Sequence, residues 1–151
     1  MKTHNFADVA DRFIERAHSD VWCNVATVDS EGRPRSRVLH PIWEGPTGWI
    51  TADPRSLKAR HLALHPYVSL AYDKDPFQPV YADCHAEWVE DVVTQQHVWD
   101  LLKSTPEPLG FDPGTIYTPI GEEDSDRPKY GVIKLTPYRI TLYGFPNPAV
   151  V

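Results

Sequence analysis

Apolar residues recur at intervals of three and four near the start of the chain, at Phe6, Val9, Ala10, Phe13, Ile14 and Ala17. That spacing predicts a helix over 6–17 with one apolar face and one charged face, and Asn5 is placed to cap it. The pattern then changes. Residues 21–29 read VWCNVATVD, rich in β-branched and aromatic side chains and free of breakers, which predicts a strand. Asp29-Ser30-Glu31-Gly32 supplies a hairpin turn, with Gly32 available for a positive φ. A second strand is expected over 35–43, with the missing N–H of Pro41 at an edge or a bulge. A turn at Gly45-Pro46-Thr47-Gly48 leads to a short third strand over 48–51.

Residues 53–64 read as a short helix, capped by Asp53 or Ser56, with Pro54 suited to its first turn. Strands follow over 67–73 and 80–90. Val98, Leu101 and Leu102 mark a helix over 94–103. Residues 104–128 carry many prolines, glycines and acids and predict a long loop. Its Phe111–Gly114 stretch is read either as a closure over a substrate or as a plain surface connection. Strands over 130–135 and 138–143 are expected to pair as a hairpin around Thr136-Pro137. Consecutive hairpins imply an antiparallel sheet rather than βαβ winding, and about seven short strands can close into a small barrel. The expected fold is therefore mainly β (α+β): an antiparallel sheet of six to seven strands closing into a small barrel, with flanking short helices.

The 15 prolines favour such a strand-rich fold over a helical bundle. At 151 residues the chain is long enough for one domain with its own core, so a single domain over 1–151 is expected. A formal charge of −6 argues against a nucleic-acid partner, because such binding rests on neutralising phosphates. No apolar run approaches the ~20 residues needed to span a bilayer, and the N-terminus lacks a signal-like apolar stretch. With only two cysteines, Cys23 and Cys84, and no CxxC, the chain is expected to be cytoplasmic.

Against that acidic background one stretch is basic. Arg35, Arg37, Arg55, Ser56, Lys58 and Arg60 gather anion-binding groups around a strand and a helix start. A helix N-terminus offers free N–H groups and partial positive charge, arginine adds paired hydrogen bonds, and lysine adds a compact charge. The pattern fits a phosphomonoester held by Arg35 or Arg37 with Ser56 and Lys58. The competing reading is a solvated basic face paired with surface acids. Other clusters carry less. His61 and His65 stand four apart, but no third metal ligand accompanies them, so no metal is expected. Cys84 and His85 are neighbours on a strand and point to opposite faces, so they do not form a nucleophile–base pair. Of the five tryptophans, most are expected in the core, with Trp43 or Trp88 the candidates for a pocket wall.

Several fragments carry a resemblance when taken in order: RPRSRVLHPIW, then WITADPRSLKARHLALHPYVSLAYD, then VYADCHAEWVED. Together, over residues ~20–92, they resemble the pyridoxamine 5′-phosphate oxidase-like, FMN-binding split-barrel family. That family shows a DG-x-P-x-x-R hairpin, a T-N-x-x-S-x-K helix start, an N-P-x-V-S-L strand and a G-x-A-E strand. Here these become Glu31-Gly32-Arg33-Pro34 with the arginines that follow, Thr51-Ala52, Ser56-Leu57-Lys58, His65 to Leu70, and His85-Ala86-Glu87. The resemblance implies a homodimer with FMN, or the deazaflavin coenzyme F420, between its subunits. The phosphate would meet Arg37 (or Arg35), Ser56 and Lys58. The ring would lie along Val38, Leu39 and His40, with Thr51 nearby, and Gln78 would stand where the family has a glutamine.

Leu57 replaces an arginine of the family signature, with Arg55 or Arg60 as its substitute. Residues 143–151 carry no R-L-x-P segment of the kind that contacts the vitamin substrate in the authentic oxidases. The expected activity is therefore a flavin- or deazaflavin-dependent oxidoreductase of the general-stress-protein-like branch, acting on a small organic molecule. Its alternative is a non-catalytic flavin- or haem-binding protein on the same barrel, in storage or stress sensing.

Overall fold

The computed structural model describes residues 4–124 and 126–144, and the backbone of 149–150. The Asn5 carboxamide accepts from the Ala7 N–H and caps a 3-10 turn, Phe6–Asp8, that leads into helix α1, Ala10–Asp20. The strands are β1, Cys23–Val28; β2, Pro34–Leu39; β3, Ile42–Glu44; and β4, Thr47–Thr51. Helix α2, Leu57–Leu64, precedes β5, Tyr67–Tyr72, and β6, Val80–Trp88. Helix α3 is Val92–Ser104, capped where the Asp91 carboxylate accepts from the Thr94 N–H at 2.8 Å. Strand β7, Val132–Leu142, and the two-residue β8, Ala149–Val150, complete the sheet. No helix among the described residues is long and apolar enough to cross a membrane.

All strand pairs are antiparallel, in the order β2-β1-β5-β6-β7-β4-β3, with β8 added to β7. Strands β2 and β3 thus stand at opposite ends of this order, yet only His40 and Pro41 separate them in sequence. Three Cα–Cα steps reach at most about 11 Å. The two edges must therefore approach each other at this point, and the sheet curls into a split barrel.

Helix α1 packs its apolar face into the curl. Phe13 and Ala17 have no solvent exposure and Val9 has 1%; all three join Val25, Leu70, Tyr72, Ala82, Cys84 and Leu135 in one core. The Phe13 ring meets Trp43 edge-on at 4.8 Å, and the Trp43 indole donates to the Tyr72 hydroxyl at 2.9 Å. Trp43 can lie across β4 because its cross-strand partner is Gly48, where a Cβ would come within 2.9 Å of the indole ring. The His18 Nε2 accepts from the Trp43 N–H at 3.0 Å, and burial pushes this imidazole down toward the neutral form that can accept. A second core, including Ile42, Trp49, Val98, Leu102, Tyr130 and Val132, lies where α3 covers β3, β4 and β7.

Two expected elements differ. The strand predicted over 35–43 is two strands: buried Pro41 and the restricted residue before it break the run, so β2 pairs with β1 and β3 with β4. The hairpin predicted around Thr136-Pro137 is one continuous strand. Asp83 pairs with Arg139 and Cys84 with Pro137, so Tyr138 is an extra residue that bulges out and absorbs the proline's missing donor. The predicted loop 104–128 contains a 3-10 turn, Pro113–Thr115, capped by Asp112.

Truncating the side chain that fills the curl tests this packing. Phe13→Ala is expected to cost about 3–5 kcal/mol, read as a lower midpoint in urea unfolding; a loss near zero would show that α1 does not seal the barrel.

Candidate functional site

The site forms at the end of the barrel where β1 runs out, β2 begins and α2 starts. Residues 53–56 make a tight turn: the Ser56 N–H bonds to the Asp53 carbonyl at 3.0 Å, and the Arg55 N–H to the Asp53 side chain at 2.8 Å. Ser56 is the N-cap residue of α2, with extended backbone, but its hydroxyl makes no capping bond. Its Oγ is buried and finds no hydrogen-bond partner. A buried hydroxyl without a partner is costly unless something else accepts its proton.

Arg37 is aimed by the alternation of β2. It faces Val25 across the β1–β2 pair, and Arg35 faces Thr27, so both arginines lie on the face of β1's buried residues. The Arg37 guanidinium donates to Thr27 Oγ1 at 2.7 Å and approaches His61 Nδ1 at 3.5 Å, and Thr27 Oγ1 lies 3.1 Å from His61 Nδ1. Lys58 is partly buried, and burial together with the Arg37 charge pushes its pKa down. Burial and Arg35 lower that of Arg37 in the same way. Among the described residues no carboxylate comes within 4.0 Å of Arg37 or Lys58. Arg37 and Lys58 are close enough to feel each other's charge, and Ser56 and Lys58 share the first turn of α2, so the donors an anion would need are grouped at this end of the barrel.

The other sequence candidates are distributed around this cradle. Arg55 is bound by Asp53, through Nε at 3.0 Å and NH2 at 2.7 Å. Arg35 is about half exposed, with Asp29 at 3.9 Å. Val38 is exposed and Leu39 packs against the main core. Val38 also lines, with Trp22, Asn24, Asp73 and Lys74, an open cavity of about 340 Å³. His40 lies three residues beyond Arg37, about 10 Å along the strand. Its ring is flanked by Trp22 at 4.4 Å and Phe111 at 5.4 Å, and its Nδ1 is buried without a partner. Burial pushes the His40 pKa down. Thr51 accepts from the Tyr117 hydroxyl at 3.2 Å. The structure does not bring Gln78 to this group: it lies before β6, in a cavity with Arg12, Arg16 and Asp75, at the other end of the barrel.

Trp43 is in the barrel core, whereas Trp88 lines a cleft of about 420 Å³ with Pro54, Ile120 and Lys129. Phe111 is held against His40, and the carbonyl of Gly114 accepts from Arg127. Both thiols are buried; burial pushes Cys23 up to about 12 and Cys84 higher still, so neither is a thiolate at neutral pH. Thr27 was not marked by the sequence, and His61 was marked only as half of a metal pair. The signal for Thr27 was the register of the β1–β2 hairpin, which sets it opposite Arg35.

The family profile for pyridoxamine 5′-phosphate oxidase matches residues 8–144, nearly the whole chain. The chain belongs to the pyridoxamine 5′-phosphate oxidase family. No curated protein matches the sequence. Among solved structures, this family member is similar to a pyridoxamine 5′-phosphate oxidase-related, FMN-binding protein from Nostoc punctiforme. That match has 14% identity and a TM-score of 0.64, over 94% of this chain and 86% of that one. A haem-binding protein from Mycobacterium smegmatis matches at 20% identity and a TM-score of 0.69, over 99% of this chain and 58% of that one. An F420 reductase matches at 19% identity and a TM-score of 0.60, over 86% and 94% of the two chains. At these identities the likeness is one of fold.

Asp53 ties the cradle's wall together, accepting from Arg55 and from the Lys129 N–H at 3.0 Å, and these bonds hold its pKa far below the ordinary carboxylate range. Its folded value is depressed, so its contribution to stability is complete above about pH 4, the unfolded value, and is lost as pH falls toward the folded value. The urea midpoint of the wild type should therefore drop from pH 5 to pH 2 by more than that of Asp53→Asn; parallel pH profiles would remove Asp53 from this role.

Proposed function

We propose that this protein is a flavin-dependent oxidoreductase that holds FMN by its phosphate against Arg37, Ser56 and Lys58, between two copies of the chain. The observation that carries the reading is the buried Ser56 hydroxyl, without a partner among the described residues, at the start of α2 in the same turn as Lys58, which like Arg37 has no carboxylate within 4.0 Å. A phosphate dianion supplies the acceptors that all three groups need. The resemblance of the Nostoc punctiforme protein, described as FMN-binding, supports the same choice.

Strand β2 stands at the end of the strand order, so backbone N–H and C=O groups on its outer side have no strand partner. Residues Val38, Leu39 and His40 offer those groups to the edge of an isoalloxazine ring, and Val38 offers an apolar surface. Flavin supplies hydride transfer when bound. The chain's part is to anchor the tail, orient the ring along β2 and exclude water. No carboxylate or cysteine in the cradle is placed as an acid–base catalyst, and hydride transfer does not require one.

A second copy completes the reading. Val38, Leu64, Tyr67 and Tyr138 are each more than half exposed, and the Tyr67 ring meets His85 at 5.6 Å and Tyr138 at 6.0 Å on the outer face of β5, β6 and β7. A contiguous aromatic patch of this kind marks an interaction surface. F420 is the alternative occupant. Its acidic tail would draw on Arg35, whose guanidinium is about half exposed and lies 3.9 Å from Asp29.

Titration of the purified protein with FMN, F420 and haem, followed by absorbance, tests this directly. FMN is expected to bind, Lys58→Ala to weaken it by ~1–3 kcal/mol, and light scattering to report a dimer. A Soret band with haem and no flavin binding would transfer the site to the haem-binding alternative.

A further inference from the structure

We propose that Thr27 and His61 are positioning residues: a buried hydroxyl–imidazole pair that holds the Arg37 guanidinium in place for the anion while leaving its charge intact. The inference rests on the phosphate reading above and assigns it two residues that touch no ligand themselves.

The geometry fixes the polarity of the pair. Thr27 is 3% exposed and His61 is 5% exposed, so each must satisfy its polar atoms inside the protein. Arg37 has no acceptor, so at the 2.7 Å contact it donates and Thr27 Oγ1 accepts. The hydroxyl proton of Thr27 is then free for its other neighbour, His61 Nδ1 at 3.1 Å, which accepts. Nδ1 also faces Arg37 NH2 at 3.5 Å, a group that can only donate, so the tautomer whose Nδ1 carries no proton accepts from both neighbours. Three elements meet here: β1 through Thr27, β2 through Arg37, and α2 through His61, which stands one turn beyond Lys58.

Arg55 provides the contrast. It is held by a carboxylate, Asp53, with two close contacts, and its charge is matched at short range. A carboxylate at position 27 or 61 would orient Arg37 as firmly but would compete with an incoming phosphate for the same N–H groups. A hydroxyl oxygen and an imidazole nitrogen, both acting as acceptors, orient the guanidinium without cancelling its charge. The long arginine side chain would otherwise sample many rotamers at an exposed strand, and binding would have to freeze it.

The test compares FMN with riboflavin, which lacks the phosphate. Thr27→Val, nearly isosteric, is expected to raise the Kd for FMN by about tenfold and leave that for riboflavin within about twofold of wild type. Thr27→Ser should restore FMN affinity. His61→Leu should behave as Thr27→Val, and His61→Asn, which keeps an acceptor near the place of Nδ1, should recover most of the loss. In an Arg37→Gln background, Thr27→Val should add nothing, because the pair acts through Arg37. Equal loss for FMN and riboflavin, or additive losses in the double variant, would overturn the positioning role. Unchanged FMN affinity in Thr27→Val would overturn it too and leave the cofactor reading standing. A wild type that binds neither FMN nor F420 would overturn both.

Discussion

Two cations near each other, with no carboxylate within 4.0 Å of either among the described residues, are the feature on which the candidate site depends. Burial lowers the affinity of both for protons, and a neighbouring cation adds to it, Arg35 for Arg37 and Arg37 for Lys58. Such an arrangement costs stability in the ligand-free protein. It persists because each cation is fixed by something rigid: Arg37 by β2 and the Thr27–His61 pair, Lys58 by the first turn of α2. The Ser56 hydroxyl repeats the point on a neutral group, being buried and capped by nothing. On the proposed reading, this local destabilisation is the cost of a binding site formed in advance of its ligand.

The barrel makes that arrangement possible by bringing distant segments to one end. Closure is forced by the short link at His40-Pro41 between the two outermost strands. The β1–β2 hairpin then points Arg35 and Arg37 toward the face that α2 overlies, and β4 delivers the Asp53–Ser56 turn beside them. Asp29 secures the hairpin itself, accepting from the N–H groups of Glu31 and Arg33. None of these elements is unusual in its own right; the site is a product of register.

That is why the sequence showed parts of the site and not others. Arg37, Ser56 and Lys58 could be singled out as candidates because alternation along a strand and position at a helix start are local properties. The break at Pro41 and the bulge at Tyr138 could not, since a proline in a strand-like run fits a turn, an edge or a bulge equally well until the partner strand is known. Thr27 and His61 were invisible for a related reason: each is ordinary in its own element, and their meeting depends on α2 lying over β1. Gln78 was named only from its place in the family pattern, and the β5–β6 pairing, Tyr72 to Val80, sets it at the end of the barrel away from Arg37 and Lys58.

The interior of the barrel is filled by Phe13, Trp43, Tyr72 and their neighbours. On the proposed reading the ligand lies outside, against β2 and the start of α2. Yet β2 is an end strand whose side chains are exposed or only half buried, with Val38 more than half exposed. An open edge of this kind invites pairing or aggregation unless something covers it. A ring laid along β2 covers one side of the problem, and a second copy seated on the neighbouring aromatic face covers the other. On the proposed reading, ligand and partner therefore answer the same structural need. The phosphate end of the ligand is set by this chain's own residues, while the environment of the ring is left to whatever surface the partner brings. Recognition of the tail and control of the chemistry are thus assigned to different parts of the assembly, the first fixed by α2 and β2 and the second free to vary.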